Sequence, residues 1–420
     1  MITFSPKERA LFESGLNSAF SPHTPINQAG FFRGRTDQIR AVVDTLRARG
    51  LHVAIYGERG VGKTSLASII QDFLGEVQLV VSRVNCVQQD TFDSTIRRVL
   101  ENIDVVRPRP GIGFTPMSTD EPTSLIDMLP VGRVSPDAAA AFVSRIPGVP
   151  ILIFDEFDRL RPSQTAAFAD FIKSLSDRGA DSKVVVVGVA EDINALIESH
   201  ASIERCLRQI PLPRMSDDEL GQIVDEGLRA AKFSLDSASP RKRIIAISQG
   251  FPHYTHLLAL YGARAALDEG RTTITDEDVL TGIFTAVERA EQSQRELYYR
   301  ATTGTKATNL WKQVVTACAL ADSDDRGYFS SRAVQDSLSS ILGRPIIQQT
   351  VAFHLGKLIE ESRGQLLDRV GPQRRYRYRF RNPLMRPFII LQGIKDGLIS
   401  QDGQKRSPWR RRSTGARADA

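Results

Sequence analysis

The chain has 420 residues, of which 41% are hydrophobic and 25% charged, the balance of a globular protein large enough for two or three domains. It has no apolar run of the ~18 residues that a membrane span needs, and it does not begin with the basic-then-apolar plan of a secretory leader, so a cytoplasmic protein without a membrane partner is expected. The net charge of +6 is unevenly spread, because residues 305–420 hold 21 Lys/Arg against 10 Asp/Glu and the residues before them are net acidic, a distribution that suits a polyanion at the C-terminal end.

In chain order, residues 1–30 mix Phe, Pro, Ser and Asn without a period and are expected to form an extended N-terminal arm. A Gly34-Arg35 turn, placed to border an adenine pocket, leads into a helix over 37–49 with Ile39, Val42, Val43 and Leu46 on one face. Leu51 to Tyr56 reads as a short buried strand and is followed by Gly57-Glu58-Arg59-Gly60-Val61-Gly62-Lys63-Thr64, then Ser65. This is the phosphate-loop pattern G-x-x-x-x-G-K-[S/T]. Its glycines let backbone N–H groups close around phosphates, Lys63 reaches the β/γ-phosphates and the Thr64 hydroxyl meets Mg²⁺, so ATP and Mg²⁺ are the expected cofactors.

Val77 to Val84 is expected as a second strand and Asp93 to Ile103 as a helix. From 104 to 137 prolines and glycines such as Pro108, Gly111, Pro116 and Pro122 predict an irregular, mobile insertion. Ile151-Leu152-Ile153-Phe154 is a buried parallel strand that delivers Asp155 and Glu156 to its C-terminal edge, where ligands of open α/β sheets bind. Asp155 is expected to hold Mg²⁺ through water, and Glu156 to orient and deprotonate the attacking water. With Val184 to Gly188 as a further strand, the fold class is α/β: a P-loop parallel sheet covered on both faces. Cys86, Cys206 and Cys318 stand far apart without paired histidines, which argues against a zinc or disulfide framework.

Residues 214–302 read as a small helical bundle, with capping boxes at Ser216-x-x-Glu219 and Thr275-x-x-Asp278, the latter opening a helix to about Arg300. Residues 303–395 follow the order of a winged helix-turn-helix: helices over Asn309–Ala321, Ser331–Leu342 and Ile347–Glu361, then strand, turn and strand. Val351, Leu355 and Leu358 form the inward stripe of the third helix, leaving Gln349, His354 and Lys357 to face a groove. In the wing, Arg374 lies in the turn, and a period of two puts Tyr376, Tyr378 and Phe380 on one face and Arg375, Arg377, Arg379 and Arg381 on the other. Such a row repels itself unless an anion is near, so phosphate backbone of duplex DNA is the expected partner. Residues 396–420 are expected to be a basic, disordered tail.

The ordered set of phosphate loop, Asp155-Glu156, Val-rich strand, helical lid and winged helix resembles AAA+ ATPases of the origin-recognition initiator type over roughly residues 31–395. The resemblance implies a nucleotide-binding domain at 31–213, nucleotide at the junction of sheet and lid, oligomers with themselves or related ATPase subunits, and a DNA-binding winged helix. It also puts an arginine finger within Ser202 to Arg208, Arg205 first and Arg208 second, acting on a neighbour's γ-phosphate. Two departures imply slow hydrolysis. Glu191 and Asp192 stand where the family has a neutral polar residue, and Gly250-Phe251-Pro252-His253 puts His253 where the family has a nucleotide-sensing arginine. The expected function is an ATP-dependent DNA-binding switch with slow Mg²⁺-dependent ATPase activity. The alternative is a regulatory or signalling ATPase, similar to signal-transduction, transposon or defence ATPases, that docks protein through its winged helix or the 104–137 insertion.

Overall fold

A computed structural model describes residues 4–22, 34–70, 79–109, 119–199, 201–304, 310–324, 326–373 and 375–400. The chain divides into two compact units, Thr24–Pro213 and a second made of Met1–His23 with Arg214–Ala420.

The second unit begins with helix α1 (Pro6–Ala19), where an extended arm was expected. The Ser5 hydroxyl accepts from the Glu8 N–H while the Glu8 carboxylate accepts from the Ser5 N–H at 2.9 Å, and Pro6 occupies the first turn. This capping box was present in the sequence, but the weak apolar period of the segment hid it. The helix buries Leu16 and Ala19 and hands Phe20 to the core.

In the sheet unit, α2 (Thr36–Arg47) precedes β1 (His52–Tyr56) and α3 (Lys63–Ser68). There follow β2 (Leu79–Asn85), α4 (Phe92–Glu101), β3 (Asp104–Arg109), β4 (Thr119–Ser124), α5 (Pro136–Val143), β5 (Val149–Asp155), α6 (Pro162–Asp177), β6 (Lys183–Gly188), α7 (Ala190–Ser199) and β7 (Leu207–Pro211). Five strands form one parallel sheet in the order β2-β5-β6-β1-β7. Ile151 to Phe154 and Val184 to Val187 are buried throughout, as strands covered on both faces must be. The region expected to be irregular is partly regular: β3 and β4 pair antiparallel from Asp104↔Ser124 to Arg109↔Thr119. Pro108 and Pro122 fit there because both strands of a two-stranded ribbon are edges, where a missing N–H is tolerated.

The helical part of the second unit continues with α8 (Asp217–Ala230), β8 (Ser234–Leu235), α9 (Ala238–Ser248), α10 (Pro252–Asp268), β9 (Thr273–Ile274), α11 (Asp276–Glu288) and α12 (Gln292–Thr302). Both expected capping boxes form, at Ser216/Glu219 and Thr275/Asp278. The single helix expected to run to Arg300 is instead two, broken at 289–291. Arg289-Ala290-Glu291 contains neither Gly nor Pro, so no local breaker announced the division.

The module that follows consists of α13 (Trp311–Leu320), β10 (Phe329–Ser330), α14 (Ser331–Leu342), α15 (Gln348–Leu358), β11 (Leu367–Val370), β12 (Arg377–Phe380) and α16 (Met385–Lys395). Its three strands form an antiparallel sheet in the order β10-β12-β11. Three helices followed by two strands were expected from the sequence, whereas β10 and α16 were not. No helix among the described residues is long and apolar enough to cross a membrane.

His256 on α10 is buried, with the Phe20 ring edge-on at 5.9 Å and, among the described residues, no hydrogen-bond partner on either ring nitrogen. Burial depresses its pKa from 6.5 to about 4. The unfolded chain therefore takes up a proton below about pH 6.5 that the folded chain resists until about pH 4, and acid destabilises the fold across that window. Urea unfolding at pH 7 and pH 4.5 should show His256→Leu losing roughly 2–3 kcal/mol less than the unsubstituted protein on acidification.

Candidate nucleotide site

The Tyr56 position pairs with Gly188 on one side and Pro211 on the other, so β1, β6 and β7 end level and the loop 57–62 leaves from the middle of that edge. Gly60 and Gly62 have φ of +89° and +97°, backbone that side chains disfavour. Gly57 is required for a different reason: a Cβ there would overlap the Leu212 carbonyl oxygen, whose residue is fixed by its N–H donating to Tyr56 O at 2.7 Å. Val61 is buried and anchors the loop's middle. Thr64 and Ser65 open α3 behind it.

The Lys63 ammonium folds over the loop, donating to the Gly57 and Glu58 carbonyls at 2.9 Å each. Burial lowers its pKa, and the charges of Asp158 and then Asp155 oppose that shift. Asp155 ends β5, 2% exposed. Its Oδ1 accepts from the Glu156 N–H at 2.8 Å, whereas its Oδ2 is buried without a hydrogen-bond partner among the described residues. A carboxylate oxygen kept dry and unpartnered beside a lysine fits a divalent cation, a hard oxygen-seeking charge.

Glu156 has φ +53°, a conformation that strains a residue with a side chain and is over-represented at working sites. Its carboxylate is half exposed and pairs with Arg159 at 3.2 Å. Asp158 was overlooked in the sequence, although its place three residues after Asp155 was the available signal; its carboxylate lies beside the end of β6 at Gly188.

Other expected residues are dispersed. Arg205 lies in a 3-10 turn before β7, 71% exposed and 3.3 Å from Asp177. Arg208 is exposed on β7 and lines a shallow groove with Asp37, Arg40 and Asp44. His253, in the helical unit, has Nδ1 2.6 Å from the Pro22 carbonyl. The side chains at Glu191 and Asp192 lie outside the described set.

In the C-terminal module the expected alternation holds, with Tyr378 and Phe380 buried and Arg375, Arg377 and Arg381 exposed. The expected self-repulsion is answered within the chain. Arg377 pairs with Asp324 at 3.0 Å and donates to Tyr328 O at 3.0 Å, Arg379 faces Asp368 at 3.6 Å across the ladder, and Arg381 donates to Gln365 Oε1. On α15, Gln349 is exposed, His354 bonds Thr350 O at 2.7 Å with its ring against Trp311, and Lys357 pairs with Glu360 at 2.9 Å. Arg374 and the tail basic residues lie outside the described residues.

A parallel sheet of this order with a glycine loop, a lysine over it and a buried aspartate at the neighbouring strand end defines a P-loop nucleotide-binding protein. Residues 18–297, more than half of the chain, match nSTAND1, Novel STAND NTPase 1, and the chain belongs to that family. No curated protein matches it at a significant level. Among solved structures it is similar to the Walker-type ATPase PABY2304 of Pyrococcus abyssi, at 15% identity over 87% of this chain and 98% of that one, TM-score 0.48. It is also similar to the ORC2 protein of Aeropyrum pernix (13% identity, 90% and 98% covered, TM-score 0.48). A third similar structure is Cdc6p from Pyrobaculum aerophilum (17%, 91% and 99% covered, TM-score 0.44).

Because the obstacle at Gly57 is a backbone carbonyl that the sheet holds, Gly57→Ala should weaken ATP binding at least ~100-fold in a fluorescent-nucleotide titration, about 3 kcal/mol, while circular dichroism shows the fold retained.

Proposed function

We propose that the chain is an ATP-binding regulatory switch that hydrolyses ATP slowly. The observation that carries this reading is the buried Asp155 Oδ2, unpartnered and electrostatically linked to Lys63 at the edge where the loop lies. Thr64 and Asp155 would hold Mg²⁺, which when bound supplies charge neutralisation at the β- and γ-phosphates. Lys63 would leave its loop carbonyls for the phosphates, and the loop's N–H groups, from Glu58 to Thr64, would cradle them. Glu156 would accept the proton of the attacking water. Its pairing with Arg159 and its strained backbone agree with slow turnover, since the carboxylate has to be released before it can act. Arg205 is proposed to act in trans on a neighbouring subunit's nucleotide, exchanging its exposed contact with Asp177 for the γ-phosphate.

For the output, the C-terminal module favours a protein partner. Arg377, Arg379 and Arg381 already have acceptors in the chain, and α15 with its N-cap presents exposed Ile347 (65%) and Phe353 (59%) instead of free cations. Large exposed apolar groups on the helix that would enter a DNA groove suit protein contact better than phosphate contact. Exposed Gln349 and Arg375 and the basic bias of residues 305–420 support the second reading, a nucleotide-dependent grip on duplex DNA.

Glu156→Gln should keep ATP affinity within about threefold and lower the steady-state phosphate-release rate roughly 10²-fold or more; an unchanged rate would remove Glu156 from the base role. Fluorescence anisotropy with a labelled duplex, with and without ATP at 50 and ~200 mM salt, separates the two outputs. A protein-docking module leaves ATP without effect on a weak, salt-sensitive signal, whereas tight ATP-dependent binding abolished by replacing Arg375, Arg377 and Arg379 with Ser would establish DNA as the partner.

A further inference from the structure

Arg35 is 2% exposed, an unusual place for a side chain that is charged at every physiological pH. It sits at the N-terminal end of α2 with φ +60°, directly after Gly34 at φ +71°. Two successive left-handed residues, one of them carrying a long side chain, are a local strain that the surrounding structure has to sustain. The side chain does not cap α2. Its Nη2 instead donates to two main-chain carbonyls, Val61 O at 3.3 Å and Pro213 O.

The two acceptors are far apart in sequence and belong to different machinery. Val61 is the buried middle of the phosphate loop, between Gly60 and Gly62. Pro213 is the last residue of the sheet unit, and with Arg214 the chain passes into the helical one. The same exit segment meets the loop a second time, at its start. Leu212 N–H donates to Tyr56 O at 2.7 Å, and the Leu212 carbonyl lies so close to Gly57 that no side chain fits between them. Loop and exit segment are therefore joined at two points, by backbone packing at Gly57 and by the Arg35 guanidinium at Val61.

We infer that Arg35 is a positioning residue of the nucleotide site, a strut that ties the middle of the phosphate loop to the connection leading out of the sheet unit. The inference rests on the loop being the ATP site. Phosphates that draw the loop's N–H groups inward shift Val61, and a guanidinium bonded to both carbonyls carries the shift to Pro213. Both bonds leave one nitrogen, Nη2, which the planar guanidinium holds in place, whereas an ammonium on a shorter, flexible stem reproduces that placement poorly. Only a group whose contacts differ between nucleotide states can report the state.

The test is hydrogen exchange of the segment 207–216 in the full-length protein, without nucleotide, with saturating MgATP and with a non-hydrolysable ATP analogue. In the unsubstituted protein ATP should slow exchange at the Leu212 and Met215 amides by about fivefold or more. Arg35→Met should exchange faster at Leu212 without nucleotide, and at saturating ATP should show less than about a twofold slowing; Arg35→Lys should lie between them. Should Arg35→Met fail to fold, Arg35→Gln and Arg35→Lys are read the same way. Retention of the full ATP-dependent slowing by folded Arg35 variants overturns the strut. Lys63→Ala separates the two readings: if it still binds ATP, the phosphate-loop assignment fails, while the nucleotide-free arm judges the Arg35 bridge by itself.

Discussion

Three strands of the sheet, β1, β6 and β7, end at the same level, with Tyr56 opposite both Gly188 and Pro211, and the nucleotide site follows from that alignment. A parallel strand ends in a loop that must rise over the sheet edge, so neighbouring strands that end together place their loops side by side. The glycine loop, the Asp155 terminus of β5 and the exit segment after β7 meet there although 57, 155 and 212 are remote in sequence. Removing a side chain at 57 is what lets the Leu212 carbonyl close in.

Electrostatics on that edge is balanced for a ligand more than for the protein alone. Lys63 is disfavoured as a cation by burial and supported by Asp158 and Asp155, and Asp155 keeps one oxygen buried and, among the described residues, unpartnered. Arrangements of this kind are poor for stability and good for binding, because a phosphate and its counter-ion satisfy both partners together. Glu156 is treated differently, half exposed and paired with Arg159.

The C-terminal module uses its cations in another way. Its arginines alternate with aromatic residues along β12, yet Asp324, Asp368 and the Tyr328 carbonyl answer them from adjoining loops and the paired strand. Exposed ion pairs of this sort add little stability. They do lower the pull of the surface on a polyanion, and the apolar Ile347 and Phe353 are left as its prominent features.

What the sequence by itself determined was everything written in short range. Uninterrupted apolar runs marked β1, β5 and β6, the glycine-lysine spacing marked the loop, Ser216/Glu219 and Thr275/Asp278 marked helix starts, and the two-residue period of β12 put Tyr378 and Phe380 inside. Each depends on a period or a turn chemistry that neighbours in the chain decide. The capping box of α1 was equally legible and was obscured only by a weak apolar period. Tertiary structure alone decided the rest. It supplied acidic partners to the β12 arginines, broke the helix at 289–291, turned His354 onto Trp311, brought the charge of Asp158 to bear on Lys63 and buried Arg35 between Val61 and Pro213. The helix break aside, in the other four cases the partner comes from another turn or element, and which charges end up neutralised depends on distances that no local pattern encodes.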